Sequence, residues 1–309
     1  LAADSHRFKR GIEMSGFDKA PTGQGPFGAG TPDPLSLAIA ERDRRVMEQV
    51  ERAVRRGQLA LAFQPIVSAR DPRKVSFYEG LVRIMDDSGR IIPARDFMWA
   101  AETREAGRLI DCAALEIGLQ TLARNPTLRL SVNMSARSIG YPRWIETLNR
   151  GLAADPTAGE RLILEITESS AMLIPDLVSS FMEGLQGKGV AFALDDFGAG
   201  YTAFRYLRDF YFDIVKIDGQ FIADVHANAD NQILTRTLID IAAHFEMFTV
   251  AEQVESPADS AWLVAAGVDC LQGYLYGMPT VQPHWMAPGA AAGLAPGATP
   301  GPGGGRRRA

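Results

Sequence analysis

The stretch Val190–Tyr201, VAFALDDFGAGY, runs from an apolar segment into two adjacent carboxylates, Asp195 and Asp196, and then into a glycine-punctuated turn. Successive strand side chains point to opposite faces, so two neighbouring acids cannot both fit inside a regular buried strand. They belong at a strand's end, where the backbone can aim both at one point. Taken alone, the pair reads as a helix cap followed by a turn. The wider chain argues otherwise, because the pattern recurs. Glu79, Asn133, Glu165, Lys216, Glu252 and Gln272 each follow or close an apolar run of their own.

Gathered at one mouth, five carboxylates would repel one another, and in a low-dielectric cavity some would have to take up protons. A bound cation removes that conflict. The set offers oxygen donors and neither Cys nor His, which favours Mg²⁺ or Mn²⁺ over a zinc site. Five acids and an amide suffice for two cations sharing a carboxylate and clamping a phosphoryl group. Lys216 adds positive charge beside the attacking water. Metal-assisted phosphoester hydrolysis is the chemistry this implies, and enolase-like proton abstraction is its rival.

The elements that must position these residues alternate along the chain. Strands are expected at Leu59–Val67, Val75–Ile84, Leu128–Met134, Leu162–Ile166, the run into Asp195, Phe212–Ile217, Phe248–Ala251 and Val268–Leu271. Helices are expected near Leu37–Arg56, Arg95–Arg104, Leu109–Arg124, Trp144–Ala153, Ile174–Gln186, Asp230–Phe245 and Ser256–Ala266. Leu234, Leu238, Ile241 and Phe245 form the expected inner face of the sixth of these. Eight strands interleaved with helices over about 250 residues is the size of a (β/α)₈ barrel, whose chemistry sits at the C-terminal ends of its strands. A doubly wound open sheet is the competing architecture.

Composition narrows the function. A formal charge of −5 and a pI near 5.5 argue against a nucleic-acid-polymer binder. No run of about 18 apolar residues and no signal-peptide pattern occurs, so a cytoplasmic protein is expected. Cys112 and Cys270 lack metal-ligand spacing and read as small buried hydrophobes. Residues 1–35 read as a disordered linker or the tail of a missing upstream sensory or regulatory domain, 36–285 as the barrel, and 286–309 as a disordered Gly/Pro/Ala-rich tail. The chain starts at Leu, as a fragment of something longer would.

Eight sequence blocks together resemble the EAL-domain family, bacterial phosphodiesterases that linearise cyclic di-GMP. They are FQPIV (Phe63–Val67), EGLVR (Glu79–Arg83), SVNMS (Ser131–Ser135), LEITES (Leu164–Ser169), DDFGAGY (Asp195–Tyr201), VKID (Val215–Asp218), VAEQVE (Val250–Glu255) and QGYLYGMP (Gln272–Pro279). The resemblance implies a (β/α)₈ barrel with its first strand antiparallel to the rest. It implies that Glu79, Asn133, Glu165 and Asp195 hold one Mg²⁺ or Mn²⁺, and that Asp195 bridges to a second held with Asp196 and Glu252. Lys216 would position and activate the attacking water. Arg83 would meet a substrate phosphate, Gln64 a guanine edge, and Gln272 the water or phosphate region. Glu168 would tie down the loop after Asp196, while Glu255 and Asp218 lie in the supporting shell.

Three departures stand out: Gly80 in the alanine position of the signature tripeptide, Ala199 for threonine, and Gln253 for the glycine after Glu252. If that glycine has positive φ, glutamine strains the site by roughly 1–3 kcal/mol. The implied function is hydrolysis of cyclic di-GMP to pGpG, with a catalytically silent cyclic di-GMP receptor as the alternative. The family also dimerises through the region after Asp196. The aromatic set Phe197, Tyr201, Phe204, Tyr206, Phe210, Tyr211 and Phe212 is therefore expected to form a homodimer interface.

Overall fold

The computed structural model describes residues 34–86, 88–200, 207 and 210–286. The chain separates into two compact units, Leu1–Glu41 and Arg42–Ala309. In the first, the described residues are the opening turns of α1 (Pro34–Arg56), where Leu35, Leu37 and Ile39 are exposed. In the second, the rest of α1 buries Met47, Val50 and Ala53, spaced three apart along one helix face.

Strands β1 (Leu59–Ser68) and β2 (Val75–Met85) form an antiparallel hairpin, and β3 (Ile91–Pro93) adds a second antiparallel partner to β2. There follow α2 (Met98–Ala101), α3 (Glu105–Arg124), β4 (Leu130–Asn133), α4 (Pro142–Ala154), β5 (Leu162–Thr167), α5 (Glu168–Ala171), α6 (Pro175–Gln186) and β6 (Ala191–Phe197). The chain continues through β7 (Ile214–Ile217), α7 (Gly219–Ile222), α8 (Ala229–His244), β8 (Phe248–Ala251), α9 (Pro257–Ala266) and β9 (Cys270–Gln272). The hydrogen-bonded order is β1-β9-β8-β7-β6-β5-β4-β2, closed by β1 against β2. β1 runs antiparallel to both its neighbours, and the remaining ring pairs are parallel. This is the expected barrel with an antiparallel first strand. Closure through β1 rules out the open sheet.

Two apolar layers hold the ring. The larger packs the helices against the outside of the strands, with Trp144, Leu115, Leu122, Phe192 and Phe197 among its buried members. The smaller fills the barrel axis with Ile66, Phe77, Ile163, Ala193, Ile214 and Val250. Strand side chains repeat every two residues, so positions two further along β2, β5, β6 and β7, and just past the end of β8, face the same axis. Those positions are Glu79, Glu165, Asp195, Lys216 and Glu252. On β1, which runs the other way, stepping back two from Ile66 gives Gln64. The apolar plug thus forms the floor on which the polar layer stands.

The structure differs from the sequence reading in four places. β3 is an additional strand outside the ring. The helix expected at Arg95–Arg104 is a 3₁₀ turn (Ala94–Asp96) followed by the short α2, because β3 pins the chain to β2 until Pro93. Glu79 lies inside β2 rather than after its apolar run, since β2 continues past the ring to pair with β3. The inner face of α8 is Thr235, Leu238, Ile239 and Ala242, with Leu234 exposed. Thr235 occupies that face because its Oγ1 donates to Phe221 O at 3.1 Å.

Of the aromatic set assigned to an interface, Tyr201, Phe204 and Tyr206 lie outside the described residues. Phe197, Phe210 and Phe212 are buried in the core, and Tyr211 is exposed. Cys112 is buried and Cys270 half-buried, and both are free thiols. Among the described residues, no helix is long and apolar enough to cross a membrane.

At Gly80 an added Cβ would meet Leu61 Cδ1 at 3.1 Å and Ser131 O at 3.3 Å, so alanine fits once the Leu61 side chain yields slightly. The lower entropy of the unfolded alanine chain offsets that contact. We expect Gly80→Ala to change the unfolding free energy by less than about 1 kcal/mol in urea denaturation. A loss above about 2 kcal/mol would show that Leu61 is held fast.

Candidate metal centre and active site

The polar layer converges on Lys216, whose Nζ lies 2.7 Å from Glu252 Oε1, 3.0 Å from Glu165 Oε2, 3.0 Å from Asp195 Oδ1 and 3.2 Å from Glu79 Oε2. Lys216 and Glu165 are each only 1% exposed. Strand register sets these neighbours. Asn133 and Glu165 are Cα partners across β4 and β5, as are Gln64 and Glu79 across β1 and β2.

Asp195 and Asp196 reach one site by a local break in β6. The register with β7 shifts between Leu194 and Phe197, and Asp196 adopts a left-handed φ of 57°. Such a bulge re-aims a side chain that regular alternation would send outward. As a result, Asp195, Asp196 and Glu252 each offer an oxygen within 4.8 Å of the others.

An amide chain braces Glu79. Asn133 Nδ2 donates to Glu79 Oε1 at 2.8 Å, and Gln272 Nε2 donates to Glu79 Oε2 at 2.6 Å. Gln272 Nε2 also reaches Gln64 Oε1 at 3.2 Å, and Gln64 Nε2 donates to Gly277 O at 3.2 Å. Both ends of the Gln64 amide are thus engaged within the protein. Around this core, Glu168 Oε2 accepts from Gly198 N at 3.1 Å, in the loop after Asp196. Asp218 caps α7 by accepting from Gln220 N at 2.8 Å, and Glu255 lines the cleft from an exposed position.

The charges are crowded. Burial opposes ionisation of Lys216, but Asp195, Glu165, Glu252 and Glu79 outweigh it and hold the ammonium well above its ordinary range. Burial raises Glu79, yet the Lys216 charge and the bonds from Gln272 and Asn133 bring it below the usual carboxylate value. Burial, with the charges of Glu79 and Asp195, drives Glu165 well above that value. Burial and Asp195 push Glu252 up to about 8, against the pull of Lys216. Burial, Asp195 and Asp218 raise Asp196 to about 6. With one ammonium for five acids, the layer is short of positive charge.

The donor set fits divalent cations of the Mg²⁺ or Mn²⁺ type. Among the described residues, Glu165 Oε1 and Asp195 Oδ1 are buried with no hydrogen-bond partner. Asp195 Oδ1 contacts Lys216 Nζ at 3.0 Å, within ion-pair reach but without hydrogen-bond geometry. Buried carboxylate oxygens left so have lone pairs that a cation could satisfy.

These groups open into a cleft of about 560 Å³ lined also by Leu81, Arg83, Pro93, Ala94, Arg95, Gln253 and Tyr274. Gln253 has a φ of 52°, so the condition for strain beside Glu252 is met. Its side chain fills space left by Gly219, where an added Cβ would come within 2.3 Å of Gln253 Cδ. Sequence reasoning missed Arg95, which lies in no motif block, and Asp111. Asp111 Oδ2 accepts from Ser135 N at 3.0 Å and from Ser138 Oγ at 2.6 Å, fixing the segment two residues beyond Asn133.

Burial pushes the Asp111 carboxyl up to about 6 despite those two bonds. Its contribution to stability is therefore full below about pH 4 and is lost as pH rises through about 6. Asparagine can accept both bonds through one oxygen. Between pH 3 and 7, the stability difference between Asp111→Asn and wild type should move by about 3 kcal/mol in favour of the variant. A difference constant with pH would show that the carboxyl titrates normally. For Lys216→Met, we expect unfolding in EDTA to be easier by about 3–5 kcal/mol, the scale of a buried charge losing its partner. Mg²⁺ or Mn²⁺ should raise the melting temperature of this variant more than that of wild type; equal shifts would contradict a shared charge deficit.

The EAL domain profile matches residues 47–279. The cyclic di-GMP phosphodiesterase PdeF of Escherichia coli K12 is 29% identical over 76% of this chain and 32% of its own length. The cyclic di-GMP phosphodiesterase NbdA of Pseudomonas aeruginosa is 30% identical over 79% of this chain and 32% of its own. The chain thus spans about a third of these relatives. Among solved structures, the PaMucR phosphodiesterase in complex with c-di-GMP superposes with a TM-score of 0.67 at 27% identity, covering 76% of this chain and 97% of that one. The FimX EAL domain from Pseudomonas aeruginosa bound to c-di-GMP gives 0.70 at 26% identity, covering 77% and 97%. With the profile spanning every strand of the closed ring and the whole carboxylate layer, this chain belongs to the EAL-domain family.

Proposed function

We propose that this chain is a divalent-metal-dependent phosphodiesterase that opens cyclic di-GMP to linear pGpG. The observation that carries the reading is the polar layer itself. Four carboxylates surround one lysine with Asp196 beside them, and among the described residues two buried carboxylate oxygens lack a hydrogen-bond partner, at the base of a cleft rimmed by arginine. Relatives named as cyclic di-GMP phosphodiesterases support the substrate. A silent receptor is the weaker reading, because none of the expected metal-binding acids, nor the lysine, is missing.

Glu79, Asn133, Glu165 and Asp195 would hold one Mg²⁺ or Mn²⁺, and Asp195, Asp196 and Glu252 a second. Such cations supply Lewis acidity to a phosphoryl oxygen and make water a better nucleophile at neutral pH. The protein's own groups do the rest. Lys216 orients the attacking water and stays protonated, since its four carboxylates hold the ammonium strongly. Arg83 binds a substrate phosphate at the rim. The Gln272–Gln64 pair holds Glu79 in place. Water adds at phosphorus as one P–O3′ bond breaks, leaving a 3′-hydroxyl and a 5′-phosphate on one linear product.

With Mg²⁺ or Mn²⁺, the purified chain should convert cyclic di-GMP to a single product that co-elutes with pGpG on anion-exchange chromatography. Chelation with EDTA should abolish turnover and either cation should restore it, whereas Ca²⁺, with looser and larger coordination, should support binding but little turnover. Undiminished turnover after rigorous chelation would sink the metal-dependent reading.

A further inference from the structure

The cleft has a charge pattern that the catalytic layer leaves unexplained. Its lining carboxylates are Glu79, Asp195, Asp196, Glu252 and Glu255, and its cations are Lys216, Arg83 and Arg95. Lys216 is committed to four carboxylates. The positive charge open to an anionic ligand therefore rests with the two arginines. They come from different parts of the chain and are brought together by β3. Arg83 and Pro93 are Cα partners across β2 and β3, and Arg95 stands two residues beyond Pro93 in the 3₁₀ turn.

Among the described residues Arg83 has no ion pair with a carboxylate, and Arg95 has one loose, solvent-exposed pair with Asp96. Arg83 Nη1 donates to Val82 O at 2.9 Å. Arg95 Nε approaches Asp96 Oδ1 at 3.7 Å, beyond hydrogen-bond length, and its side chain is 77% exposed. Burial lowers the affinity of Arg83 for its proton, and the charge of Arg95 lowers it further. Two like charges held at one rim favour an anion that both can share. Guanidinium forks match phosphate oxygens bidentately.

Resting on the cyclic di-GMP reading above, we propose that Arg95 is a substrate-binding residue which, with Arg83, clamps the phosphodiester that is not being cut. A cyclic dinucleotide carries two phosphodiesters, and the carboxylate layer serves one. Along β2, Arg83 lies four residues from Glu79 on the same strand face, roughly 13 Å by Cα spacing. That separation sets the arginine pair at the mouth while the reacting phosphate sits deeper. The clamp selects for a ligand with two phosphates at this spacing.

The test compares wild type, Arg95→Ala and Arg95→Lys in two assays: cyclic di-GMP binding in Ca²⁺ and steady-state turnover in Mg²⁺. Arg95→Ala should raise Kd and KM roughly three- to tenfold, the scale of one exposed charge-assisted contact, while kcat changes less. Arg95→Lys should recover much of the loss, and the gap between Arg95→Ala and wild type should narrow at high salt. Bis(4-nitrophenyl) phosphate, which has one phosphodiester, should lose less kcat/KM than cyclic di-GMP does. An unchanged Kd, an equal loss on both substrates, or a lysine variant no better than alanine would overturn the clamp; the last would point to a guanine edge read bidentately. Wild type that binds in Ca²⁺ but fails to turn over with either Mg²⁺ or Mn²⁺ would end the hydrolase reading and leave the clamp to be judged on Kd. Wild type that does not bind would end both.

Discussion

Mutual repulsion of five carboxylates in one buried layer is the constraint on which this structure turns. Lys216 relieves part of it by touching four of them, and burial and the neighbouring charges raise the proton affinity of Glu165 and Glu252. What is left is a deficit of positive charge at one depth in the barrel. Such a layer costs stability in its own right, because buried ions lose hydration that their mutual contacts do not fully return. In an otherwise apolar barrel, that cost is what the proposed cation and substrate phosphate would offset.

The apolar plug below makes that crowding possible. Ile66, Phe77, Ile163, Ala193, Ile214 and Val250 close the axis, so solvent reaches the acids from one side only. Since Glu79, Glu165, Asp195, Lys216 and Glu252 each follow a plug residue by two positions, packing below and the charged layer above share one register. A one-residue slip in any of these strands would turn its acid or lysine outward and its apolar partner with it. Hydrophobic packing therefore enforces the geometry of the charged layer, and the amides of Gln272, Gln64 and Asn133 refine it.

Much of this was legible in the sequence, because period-two strands ending in polar residues leave a local trace. The ring, the antiparallel first strand and the residues of the polar layer could all be named from motif blocks. What could not be read depended on contacts between distant segments. β3 is three residues long and exists only through its pairing with β2. The bulge at Asp196 and the left-handed backbone at Gln253 are properties of φ, which residue types only hint at. Thr235 sits on the inner face of α8 because a carbonyl on α7 receives its hydroxyl, a partner that hydropathy periodicity cannot anticipate. Arg95 carried no signal, since its place at the cleft depends on the pairing of β3 with β2.

The reversed direction of β1 has a mechanical consequence. Leu59, where the strand begins, pairs with Ile84, whereas Gln64 pairs with Glu79. The chain leaving α1 therefore enters the barrel at its open mouth and runs down toward the plug. A parallel first strand would have brought it in at the closed base. The joint is tight: Met85 N donates to Gln58 O at 2.9 Å, two residues along β2 from Arg83. Within the second unit, the last turn of α1 is thus joined directly to the hairpin that carries Arg83, and the plug stands between that joint and the base of the barrel.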